Sequence, residues 1–490
     1  MNLMARHFVS TSIPYINAEP HIGFLWEAIL ADCFARYQRA HGHEVFALSG
    51  TDENGLKIYR AAEARGLPTK AFSDEVAETF QALGHDFNLS WNKFIRTASA
   101  EHARGVHAFW ERCRNDIYEG EYEGLYCVGC EDYYKPEEVP DNICPLHQKP
   151  LELLREKNYF FKLTKYLPQV RELITSNKIQ IVPEKRKHAT LAMIDAGTIG
   201  DLSVSRSAAR SGGWGIPVPG DSSQVIYVWF DALVNYLTGL GFGSPRSDSG
   251  QADSFEKFWQ KADQVTHFVG KDIFKFHTIY WPAMLLSAGL RLPDTIFVHD
   301  FITVDGSKMS KTIGNVVGPA DLLAKRDRDT IRYYLLSQGS QFDDFNFSWS
   351  ALEQIAEGEL KHEVGNLATR TFGLLKRAPE TILLDQNLLA AECTAAETTY
   401  RAAFEAGEFH RGLRAAYDLV KATNQFIERH QLWKGGEVIH YATLIHVLSH
   451  LARWYVPVMP EAAAKLNAAL GLSEDATSFQ NHQAPLTPLF

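Results

Sequence analysis

Three stretches of the chain carry residue types and spacings that can do chemistry. The first is Pro14-Tyr15-Ile16-Asn17-Ala18-Glu19-Pro20-His21-Ile22-Gly23-Phe24, between a strand-like run and a helical one. At a helix start, free N–H groups and the helix dipole attract phosphate. Gly23 would let a nucleotide approach the backbone closely. The second is Asp305-Gly306-Ser307-Lys308-Met309-Ser310-Lys311-Thr312, a loop with two lysines three residues apart. Their ammonium groups could hold phosphate oxygens in a transition state. The third is Cys127-x2-Cys130, thirteen residues, then Cys144-x2-His147. Two such pairs, each on a knuckle turn, can donate to a tetrahedral Zn2+. Thiolate and imidazole suit zinc better than magnesium. Four protein ligands leave no open coordination position, so the expected zinc is structural.

Positioning these stretches requires an α/β framework. Residues 7–13 read as a strand, and a helix pattern follows from His21, with Phe24, Ile29, Cys33, Phe34 and Tyr37 at helical spacing up to Gly42. A second apolar run, Glu44 to Leu48, completes a βαβ unit of nucleotide-binding type. A similar region spans 264–305, with a helix expected from about Lys271 to Ala288. After about residue 350 the strand pattern ends. Residues 352–377, 392–408, 411–430 and 437–456 show helical apolar spacing, as in a helix bundle.

The chain has 490 residues, with 49 Lys+Arg against 59 Asp+Glu and a net charge of −10. Apolar residues make up 45% and aromatics 12%, which excludes a disordered or collagen-like chain. Six cysteines are too sparse for a disulfide framework. No run of about 18 apolar residues offers a membrane span, and no signal h-region follows Met1. A cytoplasmic enzyme with one metal site is expected. The acidic balance argues against non-specific nucleic-acid binding, which leaves a basic footprint.

Taken singly, His21 reads as a helix-start residue, Lys308 and Lys311 as a solvated loop, and Trp229 and Tyr236 as core. Their order along the chain reads differently. The first two stretches resemble the HIGH and KMSKS signatures of class I aminoacyl-tRNA synthetases. The segments Gly50–Gly55, WGIPVP (214–219), VIYVWFDALVNY (225–236), GKDIFKFHTIYWPAMLLSAG (270–289) and Val298–Asn315, with the cysteine pairs, resemble the methionyl-tRNA synthetase family in particular. The resemblance runs from residue 7 to about 460.

That resemblance implies activation of methionine by ATP to methionyl-adenylate, then transfer to the 3′-terminal adenosine of tRNA(Met), with Mg2+ accompanying ATP. By motif position, His21, Gly23 and Glu27 would contact ATP, and Lys308 and Lys311 would stabilise the leaving pyrophosphate. Asp52 would meet the substrate ammonium. Ile13, Tyr15, Trp229, Ala232, Leu233, Tyr236, Ile273 and His277 would line the side-chain pocket, with Arg206 and Asp272 as an ion pair bracing its floor. Cys127, Cys130, Cys144 and His147 would hold the zinc. Asn366 and Arg370, one helical turn apart, and Trp433 would read the anticodon, the indole by stacking. For Trp433, bundle packing is an equal alternative.

The implied fold is a Rossmann-type catalytic domain with a zinc-knuckle insertion, followed by an all-α anticodon-binding bundle. The expected divisions are 1–116 and 223–350 for the two Rossmann halves, 117–222 for the insertion, and 351–490 for the bundle. Longer family members carry an added C-terminal domain, and this chain ends at Phe490, so a monomer is expected. Three positions depart from the family pattern. Phe24 replaces the second His of HIGH and loses a donor toward ATP, at about 1–3 kcal/mol. Asn54 stands where His is common, and Thr312 keeps the hydroxyl of the last KMSKS serine. Two other readings stay open: another class I synthetase, or a catalytically weak tRNA-binding paralogue. On the tRNA reading, Lys185, Arg186, Lys187, Arg370 and Lys434 supply a local basic footprint on an acidic chain.

Overall fold

The computed structural model describes residues 4–127, 132–134, 139, 141–145, 148–245, 253–304, 306–309, 315–473, 476–481 and 488–490. They form two compact units that interleave along the chain: 1–20, 44–84 and 91–298 in one, 21–43, 85–90 and 299–490 in the other.

The first unit is built on a six-stranded sheet. Its order is Lys93–Arg96, Glu44–Thr51, Arg6–Thr11, Gln264–Gly270, Thr295–His299, Gln180–Val182. Pairing is parallel in the described registers, for example His7 to Gln264 and Thr11 to Phe268. The central strands, such as QVTHFVG, are apolar almost throughout because they are buried on both faces. The strand order reverses beside Arg6–Thr11. Its neighbour on one side is next in the chain, while its neighbour on the other comes more than 200 residues later. Ligands of open α/β sheets bind beyond the carboxyl ends of the strands at such a point. A four-stranded sheet, Asp132–Tyr134, Ile117–Cys127, Glu152–Phe161 and Leu202–Ser203, is antiparallel and lies in the cysteine-bearing stretch.

The second unit is mainly helical. Its first helix, Ile22–Ala40, is buried on nearly every side, including at Asp32, as expected of a helix inside a core. The chain then contributes Arg328–Ser337, a continuous helical run Trp349–Leu375, and helices Ala390–Glu405, Phe409–Arg429, Val438–Trp454 and Pro460–Leu470. The four helical segments expected after residue 350 are present. The fifth, Pro460–Leu470, escaped the periodicity because it is short and rich in alanine. The strand pattern does not end at 350: Thr381–Leu383 pairs with Ser478–Gln480. Those strands have three residues each, too few for a period-2 pattern to register.

One polar cluster joins the separate segments of this unit. Asp32 is 1% exposed and Arg332 fully buried. The Arg332 guanidinium lies 2.7 Å from the Asp32 carboxylate, and Arg36 reaches the same group at 2.8 Å. Ser90 donates to it through its N–H at 2.6 Å and its hydroxyl at 2.5 Å. Arg332 also donates to the carbonyls of Phe87, Pro457 and Val458. Burial pushes the Asp32 carboxyl up, but Arg332, Arg36 and Ser90 outweigh it and hold it below the usual carboxylate range.

A buried pair stripped of one partner loses about 3–5 kcal/mol. Asp32→Asn is therefore expected to lower the denaturant midpoint by that equivalent at pH 7. The native pKa is depressed, so the pair's contribution is present above the ordinary carboxylate pKa and lost as pH falls through the native value. The gap between wild type and Asp32→Asn should thus close in acid, measured by urea unfolding from pH 7 to pH 3.

Candidate active site

The helix Ile22–Ala40 starts with His21 as its N-cap. The imidazole Nδ1 accepts the Gly23 N–H at 3.0 Å. An accepting Nδ1 places the neutral ring's hydrogen on Nε2, on the opposite edge. A Cβ on Gly23 would stand 2.9 Å from His21 Cε1 and 3.0 Å from Nδ1. Glycine is required here because the histidine ring lies over it. The Phe24 and Leu25 N–H groups donate to the His21 carbonyl, so what this helix start offers a phosphate is the positive end of the helix dipole beside the His21 ring.

The lysine loop meets this helix start. The Ile22 N–H donates to the carbonyl of Val317 at 2.9 Å. The Met309 methyl lies 3.7 Å from where a Gly23 Cβ would be. The loop leaves a small sheet in which Ser307–Lys308 pairs antiparallel with Ile302–Val304, and Ile302–Val304 pairs parallel with Phe345–Phe347. Lys308 is described by its backbone only, paired with Thr303; Lys311 and Thr312 lie outside the described residues. Phe24 is 8% exposed and offers no donor.

Glu27 is 4% exposed, and its Oε2 lies 2.8 Å from Nε2 of His299. His299 Nδ1 faces the Asp300 carbonyl at 2.8 Å. Both ring nitrogens thus face oxygen acceptors, the Glu27 carboxyl on one edge and the Asp300 carbonyl on the other. His299 is the last residue of the apolar strand Thr295–His299, and no local pattern in the sequence singles it out.

The candidate methionine pocket forms in the first unit, beyond the carboxyl ends of the two strands at the order reversal. Arg6–Thr11 leads into Ile13 and Tyr15, and Gln264–Gly270 leads into Ile273 and His277. Tyr15 bridges to Asp52, at the end of the next strand. Asp52 is 2% exposed, and its N–H donates to the Pro14 carbonyl at 2.9 Å. Trp229 stacks on Phe276 at 3.9 Å and 7° and meets the Tyr15 ring edge-on at 5.9 Å. Ala232, Leu233 and Tyr236 are buried on the same helical stretch.

Hydrogen bonds fix the polarity of this pocket. His277 Nδ1 donates to the Ile273 carbonyl at 3.1 Å, so its Nε2 accepts from the Tyr236 hydroxyl at 2.7 Å. The tyrosine spends its only hydrogen on that bond, and its oxygen presents lone pairs. His267, also absent from the sequence reading, is fully buried and 2.7 Å from the Ser10 hydroxyl. Burial, with His277 nearby, holds it well below its usual pKa, so it is neutral. Its only sequence mark is a polar residue inside an apolar strand.

The segment Thr51–Asn54 is held from behind. The fully buried Glu53 carboxylate takes two 2.7 Å bonds from Arg96 and one each from Thr51 and Ser73. Asn54 donates to Asp231 at 2.8 Å and so ties this segment to the helix carrying Trp229 and Ala232. Arg206 lies over the Tyr227 ring at 3.7 Å and donates to the Ser203 hydroxyl and the Ser205 carbonyl. Asp272 is exposed just after the Gln264–Gly270 strand.

Cys127 closes the hairpin between Ile117–Cys127 and Asp132–Tyr134, paired with Asp132. Cys144 sits in a tight turn in which it donates to the Lys149 carbonyl and accepts from Gln148 N–H. Both cysteines are buried, and the Tyr134 hydroxyl is 3.8 Å from the Cys144 sulfur. Cys130 and His147 lie outside the described residues. No cluster of three or more metal-ligating side chains occurs among the described residues. The two thiols on hairpin ends do fit the donor chemistry of a zinc knuckle.

In the helical unit, Asn366 and Arg370 line one cleft with Glu363, Asn424 and Glu428. Arg370 donates to Glu428 at 2.6 Å. Trp433 is 43% exposed, while its neighbour Leu432 is 1% exposed. The indole is therefore offered to solvent and is not bundle packing. Among the described residues, no helix is long and apolar enough to cross a membrane.

A parallel, switch-pointed α/β sheet in one unit and, in the other, a histidine-capped helix start met by the lysine-bearing segment are the elements of a class I aminoacyl-tRNA synthetase. The family described as tRNA synthetases class I (M) matches residues 7–150 and 129–372. The methionine–tRNA ligase of Mycobacterium bovis is 35% identical over 99% of this chain and 96% of its own length. The chloroplastic/mitochondrial enzyme of Arabidopsis thaliana is 35% identical over 95% of this chain and 77% of its own length. The structure of Mycobacterium tuberculosis methionyl-tRNA synthetase in complex with methionyl-adenylate aligns over 99% of this chain and 97% of that one, with TM-score 0.86 and 34% identity. This chain belongs to the methionine branch of that class, the methionine–tRNA ligases.

Gly23→Ala places a methyl group against the His21 ring and displaces the cap. The expected result is a rise in the KM for ATP, with kcat/KM for pyrophosphate exchange down by about 10- to 100-fold. The melting temperature should move far less than in Asp32→Asn.

Proposed function

We infer that this ligase works in two steps. The carboxylate of methionine attacks the α-phosphorus of ATP, forming methionyl-adenylate and releasing pyrophosphate. A hydroxyl of the 3′-terminal adenosine of tRNA(Met) then takes the methionyl group, and AMP leaves. No protein nucleophile takes part, so the protein's contribution is positioning and charge stabilisation. The observation that carries this reading is the closure of the lysine loop on the histidine-capped helix start, through Ile22 to Val317 and Met309 over Gly23.

In this reading His21 and the positive end of the helix dipole, with Gly23 leaving room for the nucleotide, hold ATP phosphate, while Lys308 and Lys311 neutralise the leaving pyrophosphate, with Mg2+ bound to the nucleotide. Glu27 acts on that site through His299, its partner at 2.8 Å. Asp52 takes the substrate ammonium. The stacked and edge-on rings of Trp229, Phe276 and Tyr15 suit an unbranched, polarisable thioether. The Tyr236–His277 hydrogen bond sets the polar end of the pocket. Arg206 and Asp272 brace the pocket. Asn366 and Arg370 read anticodon base edges and Trp433 stacks on a base.

Exchange of labelled pyrophosphate into ATP is the direct test. Exchange stimulated by methionine and not by leucine, isoleucine, valine or cysteine is expected. Stimulation by another amino acid alone, or by none, would overturn the assignment.

Cys127, Cys130, Cys144 and His147 are proposed to hold one structural Zn2+, outside the chemistry of the reaction. Purified protein should contain about one zinc per chain. Cys144→Ser should lose that zinc and loosen the hairpins around Tyr134, with the six-stranded sheet retained. Elemental analysis and limited proteolysis would report the two effects; a zinc content unchanged by the substitution would rule out Cys144 as a ligand.

A further inference from the structure

The loop that offers Trp433 to solvent is closed at its base by two histidines. His430 caps the C-terminus of Phe409–Arg429, and His440 lies in the first turn of Val438–Trp454. His440 Nδ1 accepts the Glu437 N–H at 3.0 Å, which places its hydrogen on Nε2. That Nε2 lies 3.2 Å from Nδ1 of His430, the acceptor. The rings are 4.8 Å apart, and Phe426 packs against both. Between them the chain is strained and pinned. Gln431 has φ +47°, unusual for a side-chain-bearing residue. The Gly436 N–H donates to the Tyr441 hydroxyl at 3.2 Å, and Arg377 donates to the Trp433 carbonyl at 2.7 Å. Leu432 plugs the core beside the exposed indole.

We propose that the His430–His440 pair is a clamp that fixes the Trp433 loop, so that these two histidines are positioning residues for tRNA binding. The inference rests on the reading of Trp433 as a base-stacking residue. A stacking platform gains affinity when its orientation is set before the base arrives, because less ordering is left for the binding step. The pair supplies that order: the His440-to-His430 bond joins the two ends of the loop, and the Glu437 N–H holds the His440 ring in place for it. Neither ring touches the residues assigned to amino-acid activation.

The test is aminoacylation by full-length variants, read as kcat and KM for tRNA. Pyrophosphate exchange without tRNA serves as the control. Trp433→Ala should raise the KM for tRNA by about fivefold or more. His430→Ala should raise it by a similar factor, with kcat and pyrophosphate exchange unchanged. His430→Asn, whose amide oxygen can take the place of Nδ1, should return KM to within about twofold of wild type. The double variant His430→Ala/Trp433→Ala should be no worse than Trp433→Ala alone, because the clamp acts only through the indole.

If Trp433→Ala raises KM but His430→Ala does not, the clamp is overturned and the stacking reading stands. It is equally overturned if His430→Asn is as impaired as His430→Ala, or if the two effects add. If Trp433→Ala leaves KM unchanged, the stacking reading fails and takes the clamp with it. If His430→Ala lowers the melting temperature, His440→Asn decides by the same criteria, since it keeps the acceptor for Glu437 N–H and loses only the bridge to His430.

Discussion

The helical unit depends on one buried ionic contact, that between Asp32 and Arg332. A guanidinium with no access to water must have its donors satisfied and its charge matched. Arg332 achieves this with the Asp32 carboxylate and the carbonyls of Phe87, Pro457 and Val458. Those partners lie in three separate stretches of the chain, with Arg332 itself in a fourth. Any arrangement that pulled one stretch away would leave a charge or a donor buried and unpaired. This explains why 21–43 and 85–90 belong with 299–490 and not with their neighbours in sequence. The same contact holds the helix whose first residues, His21 to Gly23, receive the lysine loop.

The chemistry of the two candidate sites follows from how donors and acceptors are spent. At the helix start, His21 uses Nδ1 as a cap and presents Nε2–H, while glycine at position 23 keeps the space under the ring. In the amino-acid pocket, His277 uses its hydrogen on the Ile273 carbonyl, and Tyr236 uses its own on His277. The surface left for a thioether is aromatic with one set of oxygen lone pairs.

The departures from the family pattern differ in consequence. Asn54 replaces a residue that is often histidine, yet its amide reaches Asp231 and performs a bridging role of its own. Phe24 brings no hydrogen-bonding group to replace the lost donor. Its ring is buried, so its contribution is to the packing of the helix start. The net negative charge, which argued against a nucleic-acid partner, governs non-specific attraction and not a specific site.

The sequence by itself determined the family, the order of the signatures, the parallel character of the buried strands and the helical segments after 350. Each of these is written locally, as a motif or as a period of apolar residues over ten or more positions. It also marked most residues now seen around the pocket, because they fall in short ordered segments. It missed His267, His299 and the backing role of Glu53, each a polar residue in or next to an apolar run, whose partners are 257, 272 and 43 residues away. It left Trp433 divided between packing and recognition. Only the tertiary structure shows the partners of these three and the exposure of the Trp433 indole, because burial and hydrogen-bond partnership depend on which distant segments meet. Local periodicity carries no record of that meeting.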